Sequence, residues 1–344
     1  MRIYNSHYYE VAGVRQSMPR FRFRGDMPFE KWQSAARDRL KSLLCMPQNR
    51  GECRVDALTR KLHDGFIEYR FQVETESNFY TQCYLLIPDD KKEEHKLCIC
   101  FGGHGSNMHI TAGLPDNDVN RAEGELCALE NKRILSENPE LGMAKFALEA
   151  GRAALVIESR GFGEAGDDEP SCTENAKTAL LMGRTLMGER VHDAVCVLDA
   201  VLKEFSIDKE EIIATGYSGG GTLALYFAAV DERIAICAPS SCFCSFERSI
   251  VDISHCLCNH IPGIRLDFEM GDLAGLIYPR ELIIAAGESD PIFPYEGVIE
   301  SYELALKKYY AEDKSKISLL TSPKGHLYYA ELIWNKIYSK NNRK

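Results

Sequence analysis

The segment around Ser218 has the residue types and the spacing that a serine nucleophile requires. It reads Gly216-Tyr217-Ser218-Gly219-Gly220, which fits the pattern G-x-S-x-G. Residues 212–215 are apolar or β-branched and predict a buried strand before it, and an almost wholly apolar helix follows it. Glycines at 216 and 220 would let strand and helix approach closely, so that the Ser218 hydroxyl projects from a sharp turn. On its own, such a turn could also cradle a phosphate or simply pack tightly.

A base and an acid for this serine are available downstream. A serine hydroxyl is a poor nucleophile at neutral pH and needs an adjacent base to accept its proton. His326, after Gly325 and the last predicted strand, is the predicted base, and only His104 lies at a comparable strand end. A carboxylate must hold that base in one tautomer. Asp290, just past the penultimate predicted strand, is the predicted acid, and Glu288 is the alternative.

Attack by a serine on a carbonyl creates an oxyanion, which needs two hydrogen-bond donors already in place. The N–H of Gly219, directly after the nucleophile, is one predicted donor. The second is expected from the glycine-rich turn after the strand at 97–101. The N–H of His104 is preferred there, with Gly105 or Ser106 as alternatives.

The composition of the 344-residue chain is that of an ordinary globular protein, with 45% hydrophobic and 27% charged residues. The formal net charge of −10 comes without long single-sign runs, which argues against nucleic-acid binding. No apolar signal region and no run of about eighteen uncharged apolar residues is seen, so a cytoplasmic protein without a membrane partner is expected. Thirteen scattered cysteines fit reduced, buried thiols better than a disulfide framework.

The order of the predicted elements indicates an α/β fold: a mostly parallel, twisted sheet with helices on both faces. A hairpin at 66–73 and 80–88 is followed by strands alternating with helices, the strands being 97–101, 153–157, 212–215, 233–239, 281–287 and 317–320. Ligands of such sheets bind at the carboxyl ends of the strands. The candidate residues each follow a different strand, so one sheet would bring them to the same edge.

The chain is expected to divide into an arm and a catalytic domain. Residues 1–65 are predicted to form a helical or extended arm packed on the body, including a helix at 29–44 with one apolar stripe. Residues 66–344 form the predicted catalytic domain. Its lid-like insertions are expected near 106–142, 160–183 and 242–277, because connections of that length exceed what a compact domain needs.

Together these motifs resemble the α/β-hydrolase superfamily, and within it the esterase and dienelactone-hydrolase-like group of acetyl xylan esterases and cephalosporin C deacetylases. The resemblance spans about residue 66 to the end. Its carriers are Gly103-His104, Ser159-Arg-Gly-Phe-Gly-Glu164, Gly216-Tyr-Ser-Gly-Gly220, His255-Cys-Leu-Cys-Asn-His-Ile-Pro-Gly263, Pro279-Arg-Glu-Leu282, Gly287-Glu-Ser-Asp-Pro-Ile-Phe-Pro294 and Gly325-His326. It implies a triad of Ser218, Asp290 and His326. Where relatives commonly carry His-Gly after the early strand, this chain has Gly102-Gly103.

Two further groups of residues are predicted to be structural. The third insertion holds a pool of possible zinc ligands, namely Cys242, Cys244, His255, Cys256, Cys258 and His260. Its C-x-C spacing is not the C-x-x-C of common zinc sites, so packing without a metal is expected. Arg160 is expected to form an ion pair beside Glu158 and Glu164 rather than to bind substrate.

The function predicted from these residues is a serine hydrolase of carboxylic esters that uses an acyl-enzyme and no cofactor. The expected partner is a small-molecule ester with a short, acetyl-type acyl group, and a homo-oligomer is left open. A peptidase or amidase, or a dienelactone-type hydrolase, on the same triad is the alternative. A non-catalytic binding module would be expected to have lost a member of the triad.

Overall fold

A nine-stranded sheet is the centre of the fold in the computed structural model, which describes residues 5–116, 122–166 and 172–341. The strands are β1 (Val55–His63), β2 (Phe66–Glu76), β3 (Phe79–Pro88), β4 (His95–Phe101), β5 (Ala153–Ile157), β6 (Ile207–Tyr217), β7 (Ile234–Ser240), β8 (Glu281–Gly287) and β9 (Ile317–Ser322). Their order across the sheet is β1-β2-β3-β5-β4-β6-β7-β8-β9.

Strand pairing divides the sheet into an antiparallel and a parallel part. The strands β1, β2 and β3 form an antiparallel meander, and β3 pairs antiparallel with β5. From β5 to β9 all neighbours are parallel. The predicted α/β fold with a mostly parallel sheet is therefore confirmed. Strand β1 was not predicted, and its pairing with β2 is interrupted by an irregularity between Asp56 and Thr59. The predicted boundary between arm and catalytic domain at residue 65 stays a prediction. Strand β1 of the sheet lies before that boundary.

Helices cover both faces of this sheet. Those of the described residues are α1 (Ser6–Gln16), α2 (Phe29–Leu44), α3 (Met108–Ala112), α4 (Ala122–Glu137), α5 (Met143–Glu149), α6 (Cys172–Leu181), α7 (Leu186–Glu204), α8 (Gly219–Val230), α9 (Ile264–Asp267), α10 (Met270–Ala274), α11 (Tyr295–Lys308) and α12 (Ala330–Asn341). Among them, none is long and apolar enough to span a membrane.

Alternating side chains of the central strands pack into two separate apolar layers. Leu97, Ile99 and Phe101 of β4 pack into the layer that contains α2, α7 and α8. Cys98 and Cys100 point the other way, into the layer under α5 and α12. This two-residue period is the geometry of a pleated strand. Each fully buried large side chain stabilises the fold by roughly 1.5–3 kcal/mol, so the two layers fix the sheet that carries the site.

The N-terminal arm lies along the third insertion. Backbone N–H groups of Arg20 and Phe21 donate to the carbonyls of Leu266 (3.0 Å) and Asp267 (2.9 Å). The buried carboxylate of Asp267 also accepts from the Arg20 guanidinium at 2.5 Å, and from that of Arg39 on α2 at 2.5 Å. These contacts tie residues far apart in the chain into one body.

The three predicted insertions contain short helices rather than structureless loops. The first holds α3 and α4, the second holds α6, and the third holds α9 and α10. Residues 117–121 of the first insertion and 167–171 of the second lie outside the described residues.

Candidate active site

Ser218 occupies a strained turn between β6 and α8, with φ 53° and ψ −120°. Such backbone conformations cost about 1–3 kcal/mol and persist only where the surroundings enforce them. A Cβ on Gly216 would overlap the carbonyl of Gly220, and a Cβ on Gly220 would overlap the carbonyl oxygens of Phe101 and Gly102. Both positions therefore require glycine. The Ser218 N–H donates to the carbonyl of Ser240 at 2.9 Å, which holds the turn at the carboxyl end of the sheet.

The structure brings the three predicted triad residues together in a continuous relay. The Nε2 atom of His326 lies 2.9 Å from Oγ of Ser218. The Nδ1 atom of the same ring lies 2.8 Å from Oδ2 of Asp290. These residues follow β9, β6 and β8, respectively, so the parallel strands place them at one edge. With Nδ1–H donating to Asp290, Nε2 is left free to accept the serine proton.

The surroundings of Asp290 select it over Glu288 as the partner of His326. The Asp290 side chain is 1% exposed, whereas Glu288 is exposed. Its second oxygen, Oδ1, accepts the backbone N–H groups of Ile292 (2.8 Å) and Phe293 (3.0 Å). Both oxygens of the buried carboxylate are thus hydrogen-bonded, and its orientation toward the ring is fixed.

The loop that carries His326 is held by the ends of β6 and β7. The hydroxyl of Tyr217 donates to the carbonyl of His326 at 3.1 Å, and that of Ser241 donates to the carbonyl of Leu327 at 2.7 Å. Burial raises the pKa of Tyr217 to about 12, so the phenol stays protonated and can donate at neutral pH. Phe293 stacks on the imidazole at 5.8 Å between ring centroids. Aromatic side chains therefore flank the reacting groups.

The backbone around His104 lies next to the start of α8, where an oxyanion would be bound. A Cβ built on Gly219 would lie 3.5 Å from the backbone nitrogen of His104, so the two predicted donors are neighbours. Gly219 is the first residue of α8, where N–H groups have no carbonyl one turn back in the helix. The N–H of Ser106 donates instead to the carbonyl of Gly103 at 3.0 Å, which disfavours it as the second donor.

Glu158, at the end of β5, is a buried acid that joins two insertions. Its Oε2 accepts the N–H groups of Met108 (3.2 Å) and Glu164 (3.3 Å). Burial is the largest influence on this carboxyl group and raises its pKa to about 8. The group therefore couples the packing of the first and second insertions to pH.

Arg160 forms a buried ion pair, but with partners other than those expected from the sequence. Its guanidinium binds both oxygens of Asp193 on α7 at 2.7 Å and contacts Glu76 at 2.7 Å. The same group lies over the ring of Phe79 at 3.9 Å. Glu164 instead accepts from other residues, Arg70 and His109. Arg160 therefore anchors the second insertion to α7 and β2.

The cysteine pool of the third insertion separates into two groups. Cys242 and Cys244 pack in an apolar cluster with Phe293. Cys256 and Cys258 meet two residues from elsewhere, His104 and Cys172, and the four ligand atoms all lie within 4.8 Å of one another. The sequence predicts His104 as an oxyanion donor and as a competitor of His326, but it predicts neither His104 nor Cys172 as a metal ligand. No spacing pattern signals this set, because it comes from three separate segments.

Comparison with known proteins supports the same fold. A sequence profile of the Abhydrolase family matches residues 4–312. A Bacillus subtilis (strain 168) protein named "Putative hydrolase YtaP" is 29% identical over 167 residues, or 47% of this chain. The chain spans only about half of that relative, since the match covers 54% of its length.

Solved structures share the fold at low sequence identity. The crystal structure of a "putative acetyl xylan esterase" from Bacteroides fragilis NCTC 9343 has a TM-score of 0.76 and 18% identity, covering 93% of this chain and 83% of that one. A glucuronoyl esterase from Solibacter usitatus has a TM-score of 0.64 and 11% identity, covering 95% and 98% of the two chains. The family profile matches most of the residues, and Ser218 directly follows β6 in the parallel part of the sheet. The chain therefore belongs to the Abhydrolase family and has the α/β-hydrolase fold.

Proposed function

We propose that this protein is a serine esterase that hydrolyses small carboxylic esters through an acyl-enzyme. The observation that carries the proposal is the relay of 2.9 Å and 2.8 Å from Ser218 through His326 to Asp290. Proteins of the same fold that are named acetyl xylan esterase or glucuronoyl esterase support an ester as the substrate class.

In the first half of the reaction, Oγ of Ser218 attacks the ester carbonyl while Nε2 of His326 takes its proton. The new O–C bond places a negative charge on the former carbonyl oxygen. The N–H groups of Gly219 and His104 are the proposed donors to that oxyanion. The imidazolium is stabilised by Asp290 and passes its proton to the leaving alkoxide, which departs as the alcohol.

In the second half, a water molecule takes the place of the alcohol. Nε2 of His326 removes a proton from this water as it attacks the acyl-serine, and a second oxyanion forms in the same place. Collapse of this intermediate breaks the bond to Oγ and returns the proton to Ser218. The acid is released and the enzyme is regenerated without a redox step.

The decisive experiment is labelling of the purified protein with a fluorophosphonate probe, combined with hydrolysis of p-nitrophenyl acetate. We expect one labelled serine, found at Ser218 by peptide mass spectrometry, and loss of both labelling and hydrolysis in Ser218→Ala. The exposed Ser315 provides the matched control, since Ser315→Ala should be labelled like the parent protein. Labelling at another serine, or hydrolysis that survives Ser218→Ala, would disprove the proposal.

A further inference from the structure

Beside the proposed active site, one imidazole and three thiols converge from three segments of the chain. His104 follows β4, Cys172 begins α6, and Cys256 and Cys258 belong to the third insertion. The Nε2 atom of His104 lies 2.9 Å from Sγ of Cys172, which in turn lies 2.8 Å from Sγ of Cys256. We propose that these four residues form a structural zinc site.

The ligand types and distances fit tetrahedral zinc. A Cys₃His set is one of the common structural zinc sites, with Zn–S near 2.3 Å and Zn–N near 2.0–2.1 Å. Those bond lengths imply ligand atoms separated by about 3.5–3.8 Å in a tetrahedron. The four atoms here all lie within 4.8 Å of one another, and the contacts of 2.9 Å and 2.8 Å are shorter than those tetrahedral separations. Side-chain rotations that move the ligand atoms by about 1 Å would complete the geometry.

Two other interpretations explain less of the arrangement. A disulfide has a sulfur separation near 2.05 Å, so the 2.8 Å between Cys172 and Cys256 is not one. A disulfide there would also give no role to Cys258 and His104. Simple apolar packing suits Phe162 and Leu186 of the same cluster, but it does not account for an imidazole nitrogen aimed at thiols.

The environment resembles that of a closed structural site rather than a catalytic one. All four positions of the tetrahedron would be taken by protein ligands, which leaves no position for substrate or water. The hydroxyl of Thr173 lies 3.3 Å from Sγ of Cys256 and can hydrogen-bond to that ligand. Such outer contacts orient metal ligands. Cys172 and Cys258 are buried, Cys256 is partly exposed and His104 is exposed, so the ion would lie at the surface with the two buried thiols beneath it.

The site would link three segments that are far apart in the chain. It connects the turn after β4, the start of α6 and the turn at Leu257–Asn259. His104 would be a positioning residue here, because its ring would be fixed by the metal while its backbone nitrogen lies beside the start of α8. The positioning role of His104 rests on the proposed function, whereas the proposal that the four residues bind zinc does not.

The test begins with protein produced in zinc-supplemented medium with an affinity tag that does not bind metal. Elemental analysis should find stoichiometric zinc in the parent chain. Cys258→Ser should lose that zinc. Cys244→Ser is the matched control, because Cys244 also lies in a C-x-C pair of the third insertion but packs away from the cluster, and it should keep the zinc.

A second measurement keeps the proposal testable if Cys258→Ser fails to fold. Cobalt(II) added to reduced metal-free parent protein should give thiolate-to-cobalt charge-transfer absorption and the intense visible bands of a tetrahedral site. A parent chain without stoichiometric zinc and without the cobalt spectrum would overturn the proposal, as would a Cys172–Cys256 disulfide found by mass spectrometry. Since zinc content is measured without a substrate, a failed esterase assay leaves this result unaffected.

Discussion

Replacing Asp290 with asparagine tests the proposed relay while keeping the shape of the side chain. The carboxylate uses Oδ1 to accept two backbone N–H groups and Oδ2 to accept from His326. If the asparagine carbonyl keeps the two backbone bonds, its NH₂ group faces Nδ1 of His326. The ring must then accept at Nδ1 and carry its proton on Nε2, which points at Ser218. In that tautomer the imidazole cannot act as the base.

The opposite rotamer of the asparagine restores the tautomer but is itself costly. It turns the NH₂ group toward the N–H groups of Ile292 and Phe293, which lose their acceptor. A buried donor left without an acceptor costs roughly 1–3 kcal/mol, so two of them disfavour this rotamer by roughly 2–6 kcal/mol. Because about 1.4 kcal/mol corresponds to a factor of ten in rate, we expect kcat/KM to fall by roughly 30-fold to 2 × 10⁴-fold.

The assay is the kcat/KM of p-nitrophenyl acetate hydrolysis for the parent chain, Asp290→Asn and Glu288→Gln. The exposed Glu288 serves as the control, and its variant should stay near the parent value. Circular dichroism establishes that the variants are folded. A Glu288→Gln variant that is inactive, together with an Asp290→Asn variant within about tenfold of the parent, would refute the reasoning.

Three other outcomes are expected. Tyr217 and Phe293 flank His326, so acetyl to butyryl p-nitrophenyl esters should be hydrolysed best. The value of kcat/KM should fall steeply beyond about six carbons, because overpacking costs roughly 1–3 kcal/mol. A kcat/KM that rises through octanoate would contradict this. The raised pKa of Glu158, about 8 when folded against 4.5 as the ordinary value, makes its contribution to stability complete below pH 4.5 and lost as pH rises through 8. Melting temperatures of Glu158→Gln should therefore fall less over that range than those of the parent, and equal slopes would contradict the assignment. Asp193→Ala removes the bidentate partner of buried Arg160 and should lower the free energy of unfolding in urea by about 3–5 kcal/mol, whereas a loss under about 1 kcal/mol would show that the remaining acids suffice.

The fold and the relay geometry could be predicted from the sequence because local signals agreed with one another. The glycines around Ser218 predict a sharp turn between a strand and a helix that pack closely. Each candidate group follows a separate apolar strand. In a parallel sheet that order alone places them at one edge. The sequence already favoured Asp290 over Glu288, and the structure adds the burial and the two backbone donors that distinguish them. Their catalytic roles stay predictions.

Other features could not be predicted because their cause is not local. Strand β6 begins at Ile207 rather than at Ile212, since Ile207 and Asp208 already pair with β4. The polar residues between them and Ile212 hide this start from a search for apolar runs. The partner of Arg160 is Asp193, which comes from a helix 33 residues away rather than from the neighbouring acids. The cluster of His104 with three cysteines depends on how the insertions fold back over the sheet. Sequence spacing carries no information about that arrangement.

Strand β1 ends the sheet on its antiparallel side, and its surface determines whether another chain can extend the sheet there. An unpaired strand edge is a template for intermolecular β-pairing and aggregation. Its irregularity is accompanied by Ala57 at φ 50°, and local kinks of this kind twist an edge away from a flat partner. Arg60 and Lys61 add exposed positive charges beside the apolar Leu62. A kinked and charged edge of this kind disfavours extension of the sheet by another chain.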